Sequence, residues 1–275
     1  MALSNVALTS AMRANLYSLQ KTTDLMETTQ NRLSTGKKVN SALDDPIAYF
    51  AAEAHTQRAS DLSGLKDEMS EGIQTITAAN NGIEGITNLV ASAKSLAQAA
   101  LASASSTERE AYSLQFNDLL DQIDTLALDS GYKGTNLLDS KNLTINFNED
   151  GTSSLTVTGF NASTTDANNG LAILDATVSW STDASITASI EDLDNARSTL
   201  RTESKNLSSD LSTITIREDF TDKMMNTLSD GAANLTLADM NEEGANMLML
   251  QTRQALGTTS LSLASQAAQS VLRLF

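Results

Sequence analysis

The chain has 275 residues, room for one large domain or two modest ones, and its 40 % hydrophobic content is enough for a core. Only 4 % of residues are aromatic, so that core must come from small aliphatic side chains on packed helices, which disfavours a compact enzyme fold. A formal net charge of −16 argues against nucleic acid and anionic membranes as partners, and the absence of cysteine removes disulfides, thiol catalysis and zinc-thiolate sites.

Residues 1–10 lack the basic leader and continuous apolar stretch of a cleaved secretory signal. Nor does any window approach the roughly 20 apolar residues that span a bilayer. An extracellular location would therefore need a route that reads an uncleaved signal.

In chain order, the first element is a helix. Met12, Leu16, Leu19, Thr23, Met26, Gln30 and Leu33 alternate in steps of four and three, the heptad seam of a helix lying along another helix. Thr23 and Gln30 weaken the seam, so this helix needs partners to bury its stripe. Gly36 suits a C-terminal cap, and Asp44 or Asp45 before Pro46 suits a turn or a helix start. A longer helix follows, with Leu62, Leu65, Met69, Ile76, Ile83, Ile86, Val90, Ala93 and Ala97 on one frame and Gly72 and Ala79 filling its other places. Tyr112, Phe116, Leu119, Ile123 and Leu126 predict a third helix, entered through Ser105 to Glu108 and left at Gly131.

The centre is different. From residue 140 to about 185 the chain is rich in Ser, Thr, Asn and Gly and alternates in steps of two. Leu143, Ile145 and Phe147, then Leu155 and Val157, then Val178 and Trp180 read as short strands, with Asn148 to Gly151 as a hairpin turn. The helical period then returns in Ile190, Leu193, Leu200, Leu207, Leu211 and Ile214, and again in Leu261, Ala264, Ala268, Val271 and Phe275. The expected fold is mainly α: a long antiparallel helical rod or coiled coil built from both chain ends, with a small β-rich central insertion.

Candidate chemical sites have plainer readings. His55 is the only histidine and lacks the companions of a zinc site, so it reads as a polar helix position. Asn146, Asn148, Asp150 and Gly151 imitate the start of a calcium loop, but Val157 occupies the place of its bidentate Glu. The four Asn-X-Ser/Thr matches at Asn142, Asn161, Asn206 and Asn234 are expected by chance in this composition. The pairs Asp44-Asp45 and Glu242-Glu243 read as helix caps and solvated charge, since adjacent helix residues do not face one another. No catalytic, metal or cofactor site is expected.

One resemblance covers most of the chain. Arg32-Leu-Ser-Thr-Gly-Lys-Lys-Val-Asn-Ser-Ala-Leu-Asp-Asp45 resembles the bacterial flagellin signature, in which an Arg-Leu-Ser-(Ser/Thr)-Gly turn leads into Asn-Ser-Ala and two acids. Glu71-Gly-Ile-Gln-Thr75 is similar to the family's Asp-Gly-Ile segment. Gly131-Tyr-Lys-Gly-Thr-Asn-Leu-Leu138 resembles its exit from the third helix, with Tyr132 and Lys133 as departures. Near the other end, Leu237 to Asn246 resembles the family's pattern around Ala-Asp, and Leu256 to Leu272 resembles its terminal segment. The likeness spans residues 1–139 and 187–275 and leaves the centre unmatched.

The resemblance implies a subunit that is exported without a cleaved signal and polymerises into the extracellular flagellar filament for swimming. Residues 1–36 with 235–275 would form an inner coiled-coil domain, 37–139 with 187–234 a helical rod domain, and 140–186 a small outward region. The self-assembly residues would be Leu16, Leu19, Met26, Leu33, Leu261, Ala264, Ala268, Val271 and Phe275, their weak seams completed by neighbouring subunits. Implied partners are further copies of the chain, a flagellar export chaperone, the type III export apparatus, and hook-junction and cap proteins. The segment equivalent to the Toll-like-receptor contact of sensed flagellins is Ser92-Ala-Lys94-Ser95-Leu96, which lacks the family's first Arg and its Glu. A hook-filament junction protein, with similar ends, is the second reading.

Overall fold

The computed structural model describes residues 10–164, 170–176 and 180–272, the side chains of Ala11, Val271 and Leu272 apart. Five helices and two strands follow in the order α1 (Ser10–Thr35), α2 (Pro46–Ala102), α3 (Ser106–Asp129), β1 (Leu143–Asn146), β2 (Ser154–Val157), α4 (Asp183–Thr236) and α5 (Met240–Leu272). The chain divides into two compact units. Unit 1 draws on Met1–Gln57 and Thr227–Phe275, and unit 2 on Arg58–Asn226.

In unit 1, α1 stops where Gly36 takes a φ of +71° and its N–H donates to the Arg32 carbonyl at 2.8 Å. A side chain would be strained in that left-handed conformation, so glycine ends the helix there. The Asp44 carboxylate then accepts from the Asn40 and Ser41 N–H groups at 3.0 and 2.9 Å, closing the turn. Asp45 caps α2 by accepting from the Ile47 and Ala48 N–H groups, both at 3.1 Å. On the return path, Lys38 N–H donates to the Thr236 carbonyl at 2.8 Å and Ala238 N–H to the Gly36 carbonyl at 3.0 Å. Asp239 caps α5 through the Asn241 N–H at 2.8 Å.

Unit 2 holds the core. Along α2, Leu62, Met69, Gly72, Ile76, Ala79, Ile83, Ile86, Val90, Ala93 and Ala97 of the predicted heptad frame are buried, and Leu65 is half-buried against the core. On α4, Ile186, Leu193, Leu200, Leu207 and Ile214 are buried at strict seven-residue spacing. The two helices run antiparallel: Lys66 meets Asp222, Asn80 meets Ser204, and Lys94 meets Asp194. Helix α3 is capped by Ser105, whose hydroxyl accepts from Glu108 N–H, and it buries Phe116, Leu120, Ile123 and Ala127. At its far end the Asn136 amide donates to the Ala127 and Leu128 carbonyls at 2.8 and 3.1 Å.

The central region is less extended than its alternation suggests. The expected hairpin is present, with β1 antiparallel to β2 and Ile145 opposite Leu155. Gly151 turns it at φ +65° and donates to the Asn148 carbonyl. Trp180, however, lies in no strand. It has a φ of +46° and packs its buried ring against Phe116 at 4.8 Å, while its Nε1 donates to Ser189 Oγ at 3.2 Å. Val178 lies outside the described residues. Burial of the large ring, rather than pairing with a neighbouring strand, decides this segment. Further ties hold it to α3: Thr164 N–H donates to Asp124 and Ala176 N–H to Asn117.

Candidate self-assembly surfaces

Unit 1 carries the residues that the sequence assigned to assembly. Its α1 and α5 pack antiparallel, with Asn15 reaching the Gly257 carbonyl at 3.4 Å and Arg32 pairing with Glu243 at 3.0 Å. Four of the expected seam positions, Met12, Leu19, Met26 and Leu33, are buried or half-buried. The alternate positions shift by one residue: Asn15, Thr22 and Thr29 take the seam, and Leu16, Thr23 and Gln30 are exposed. The frame therefore runs in steps of three and four from Met12, not four and three. Thr22 is tolerated there because its hydroxyl donates to the Ser18 carbonyl at 2.8 Å, leaving its methyl for the seam.

On α5, Leu261, Ala264 and Ala268 are half-buried. The side chain of Val271 and all of Phe275 lie outside the described residues. Gly257 sits on the seam, and a Cβ there would come within 2.7 Å of Leu19 Cδ2. The glycine thus makes room for a leucine from α1. Glu243 needs correction, because only 9 % of its side chain is exposed and Arg32 holds it. Its neighbour Glu242 keeps the solvated position on the first turn. A cleft of about 280 Å³ lined by Leu25, Thr29, Arg32, Glu243, Leu250 and Arg253 remains along the seam.

Much apolar surface in unit 1 is left in water. Leu16, Tyr17 and Leu25 on α1 are exposed, as are Leu43, Ile47 and Phe50 around the start of α2. So are Leu237, Met240, Leu248, Met249, Leu256 and Leu263 toward and along α5. Fractional exposures of 96 % for Leu43 and 84 % for Ile47 are unusual for residues beside an ordered turn. Among the described residues, the large unit 2 has half as many such side chains.

The Ser92 segment lies on α2 in unit 2. Ser92 and Ser95 are exposed, and their hydroxyls donate to the Asn88 and Ala91 carbonyls, both at 3.0 Å. Lys94 is drawn into an ion pair with Asp194, and Leu96 is half-buried. His55 is a half-buried position of α2. No group of three or more His, Cys, Asp or Glu among the described residues could hold a metal ion. No helix of the described residues is long and apolar enough to cross a membrane.

A family model of the bacterial flagellin N-terminal helical region matches residues 4–143. The flagellin FljM of Caulobacter vibrioides is 31 % identical over all of both chains. The chain belongs to the bacterial flagellin family. Flagellins of Brucella melitensis and Listeria monocytogenes are each 26 % identical to this flagellin, covering 97 % and 92 % of it and 96 % and 91 % of their own lengths. The crystal structure of Bacillus cereus flagellin aligns with 56 % of this chain and 88 % of its own at a TM-score of 0.48 and 16 % identity. This flagellin is a structural subunit that polymerises into the extracellular flagellar filament, and it is not an enzyme. The hook-junction reading has no better support.

Proposed function

We propose that unit 1 is the polymerisation element of this subunit. Residues 1–36 with 235–275 form the inner domain, 37–139 with 187–234 the rod, and 140–186 an outward region anchored by its buried apolar side chains. The observation that carries this is the apolar surface left in water on α1 and α5, beside a seam whose apolar places are interrupted by Asn15, Thr22, Thr29 and Gly257. Such a pair buries too little to be stable alone and gains most from neighbouring copies. Leu16, Leu19, Met26, Leu33, Leu261, Ala264, Ala268, Val271 and Phe275 contribute to those contacts. Before assembly, an export chaperone covers α5, and the type III apparatus reads the uncleaved N-terminal region. Hook-junction and cap proteins meet the two ends of the polymer. Purified monomer seeded with filament fragments should elongate into long filaments; growth that halts after a short layer would indicate a junction protein instead.

Recognition by the flagellin-specific Toll-like receptor is weak in this reading. Arginine offers planar, multidentate hydrogen bonds that Ser92 cannot copy, and Lys94 is already engaged by Asp194. Loss of one such anchor costs about 2 kcal/mol, or roughly thirtyfold in affinity. In a reporter-cell assay, potency should fall well below that of a flagellin with the full segment, and Ser92→Arg with Ser95→Glu should raise it. Equal potency before substitution would place the contact elsewhere.

A further inference from the structure

Unit 2 carries a charged surface that its own fold leaves unmatched, and its reading here rests on the filament role. Between α2 and α4 lies a groove of about 490 Å³ lined on one side by Arg197, Arg201 and Lys205. These cations stand four residues apart on α4, so at a rise of about 1.5 Å per residue they form a line of roughly 12 Å on one face. All three are exposed, and none makes an ion pair among the described residues. Lys66, Lys94 and Arg109 are by contrast each held by an aspartate. Glu84, the one acid in the lining, is not within ion-pair distance of them. In a chain with a net charge of −16, such a line of unpaired cations lacks an internal partner.

The complement is on α3. Leu114, Asp118, Asp121, Thr125 and Leu128 are exposed and spaced in steps of four and three, so they share one outward stripe. Leu114 and Leu128 are 62 % and 67 % exposed. Neither Asp118 nor Asp121 makes an ion pair among the described residues, and Arg109, the sole cation of α3, is committed to Asp183 and the Ser103 carbonyl. The groove lining contains no residue of α3, so the two features do not meet within one copy. We propose that the Arg197–Arg201–Lys205 groove of one copy receives the Asp118–Asp121 face of α3 from a neighbouring copy. Guanidinium groups take carboxylates in bidentate fashion, and the flanking leucines lose water on docking. A polyanion such as nucleic acid is a poorer occupant, because the rest of the chain repels it.

The test is seeded elongation of the full-length chain, followed by light scattering at low and high salt. Arg197→Glu with Arg201→Glu, and separately Asp118→Lys with Asp121→Lys, should each slow elongation by about a hundredfold or more, because like charges then face each other. A chain carrying all four changes restores complementarity between its own copies and, on seeds made from that same chain, should recover to within about tenfold of the unmodified rate. Arg201→Gln, which keeps a polar side chain, should slow elongation less than the reversals and weaken its salt dependence. Circular dichroism confirms that each variant keeps its helices. Elongation of the reversed chains at the unmodified rate overturns the proposal. So does a charge-swapped chain that stays helical but is as slow as either reversal. If the unmodified chain itself fails to elongate on seeds, the filament reading falls and takes this contact with it.

Discussion

The α1–α5 pair of unit 1 and the α2–α3–α4 packing of unit 2 use the same heptad grammar to opposite ends. In unit 2 the frame is filled by Met69, Ile76, Ile86, Leu193 and Leu200, each fully shielded, and Phe116 and Trp180 close the gap with a ring contact. The contiguous core cluster contains no residue of unit 1. In unit 1 Asn15, Thr22, Thr29 and Gly257 alternate on the seam with Met12, Leu19, Met26 and Leu33, while Leu16, Leu25, Leu248 and Leu256 stand outside. A helix pair with polar residues in its seam and apolar ones on its surface has most of its burial still to make. A polymerising chain can thus be stable in one part and incomplete in another by changing only which heptad places are apolar.

Removing residues 261–275 should break the comparison most sharply. It deletes Leu261, Ala264 and Ala268 from the α5 seam and removes no residue of unit 2. Polymerisation should be abolished while most of the circular-dichroism helix signal and the main thermal transition persist. Normal filaments from the truncated chain would show that the α5 stripe is dispensable.

Point substitutions sharpen the same contrast. Phe116→Ala opens a void beside Trp180 and should cost about 3–5 kcal/mol in denaturant unfolding of the monomer. Leu19→Ala, at a half-buried place against Gly257, should cost the monomer less than about 1.5 kcal/mol yet slow seeded assembly. If Leu19→Ala destabilises the monomer as much as Phe116→Ala, unit 1 completes its own packing and the contrast fails.

The smallest effect is electrostatic. Asp44 accepts two backbone N–H bonds, from Asn40 and Ser41, and these hold its carboxyl below the ordinary range. A depressed folded-state value means that its contribution is present above the ordinary carboxylate pKa and is lost as pH falls through the lowered one. Amide protection across residues 40–45, with the intrinsic pH dependence of exchange divided out, should therefore fall on acidification, and Asp44→Asn should blunt that dependence. In unit 2, burial raises the Asp192 and Asp210 carboxyls, so their contributions have the opposite sign and weaken as pH rises. Acidification that loosens both units equally at these sites would contradict this assignment.

The long helices were readable from the residues because a heptad of large aliphatic side chains leaves one register that buries them, as along α2 and α4. Caps were readable for a similar reason: Gly36, Asp45 and Ser105 each supply a group that few other residues can supply at a helix end. Tertiary structure alone decided the α1 register. Where apolar and polar places are mixed, one-residue rotations differ little in buried area, and the partner helix chooses between them. Gly257 makes room for Leu19, Arg32 draws in Glu243, and the seam settles on Thr22 and Thr29 rather than on Thr23 and Gln30. The turn at Trp180 was decided in the same way, because its ring finds Phe116 across 64 residues of chain and no local pattern encodes that contact.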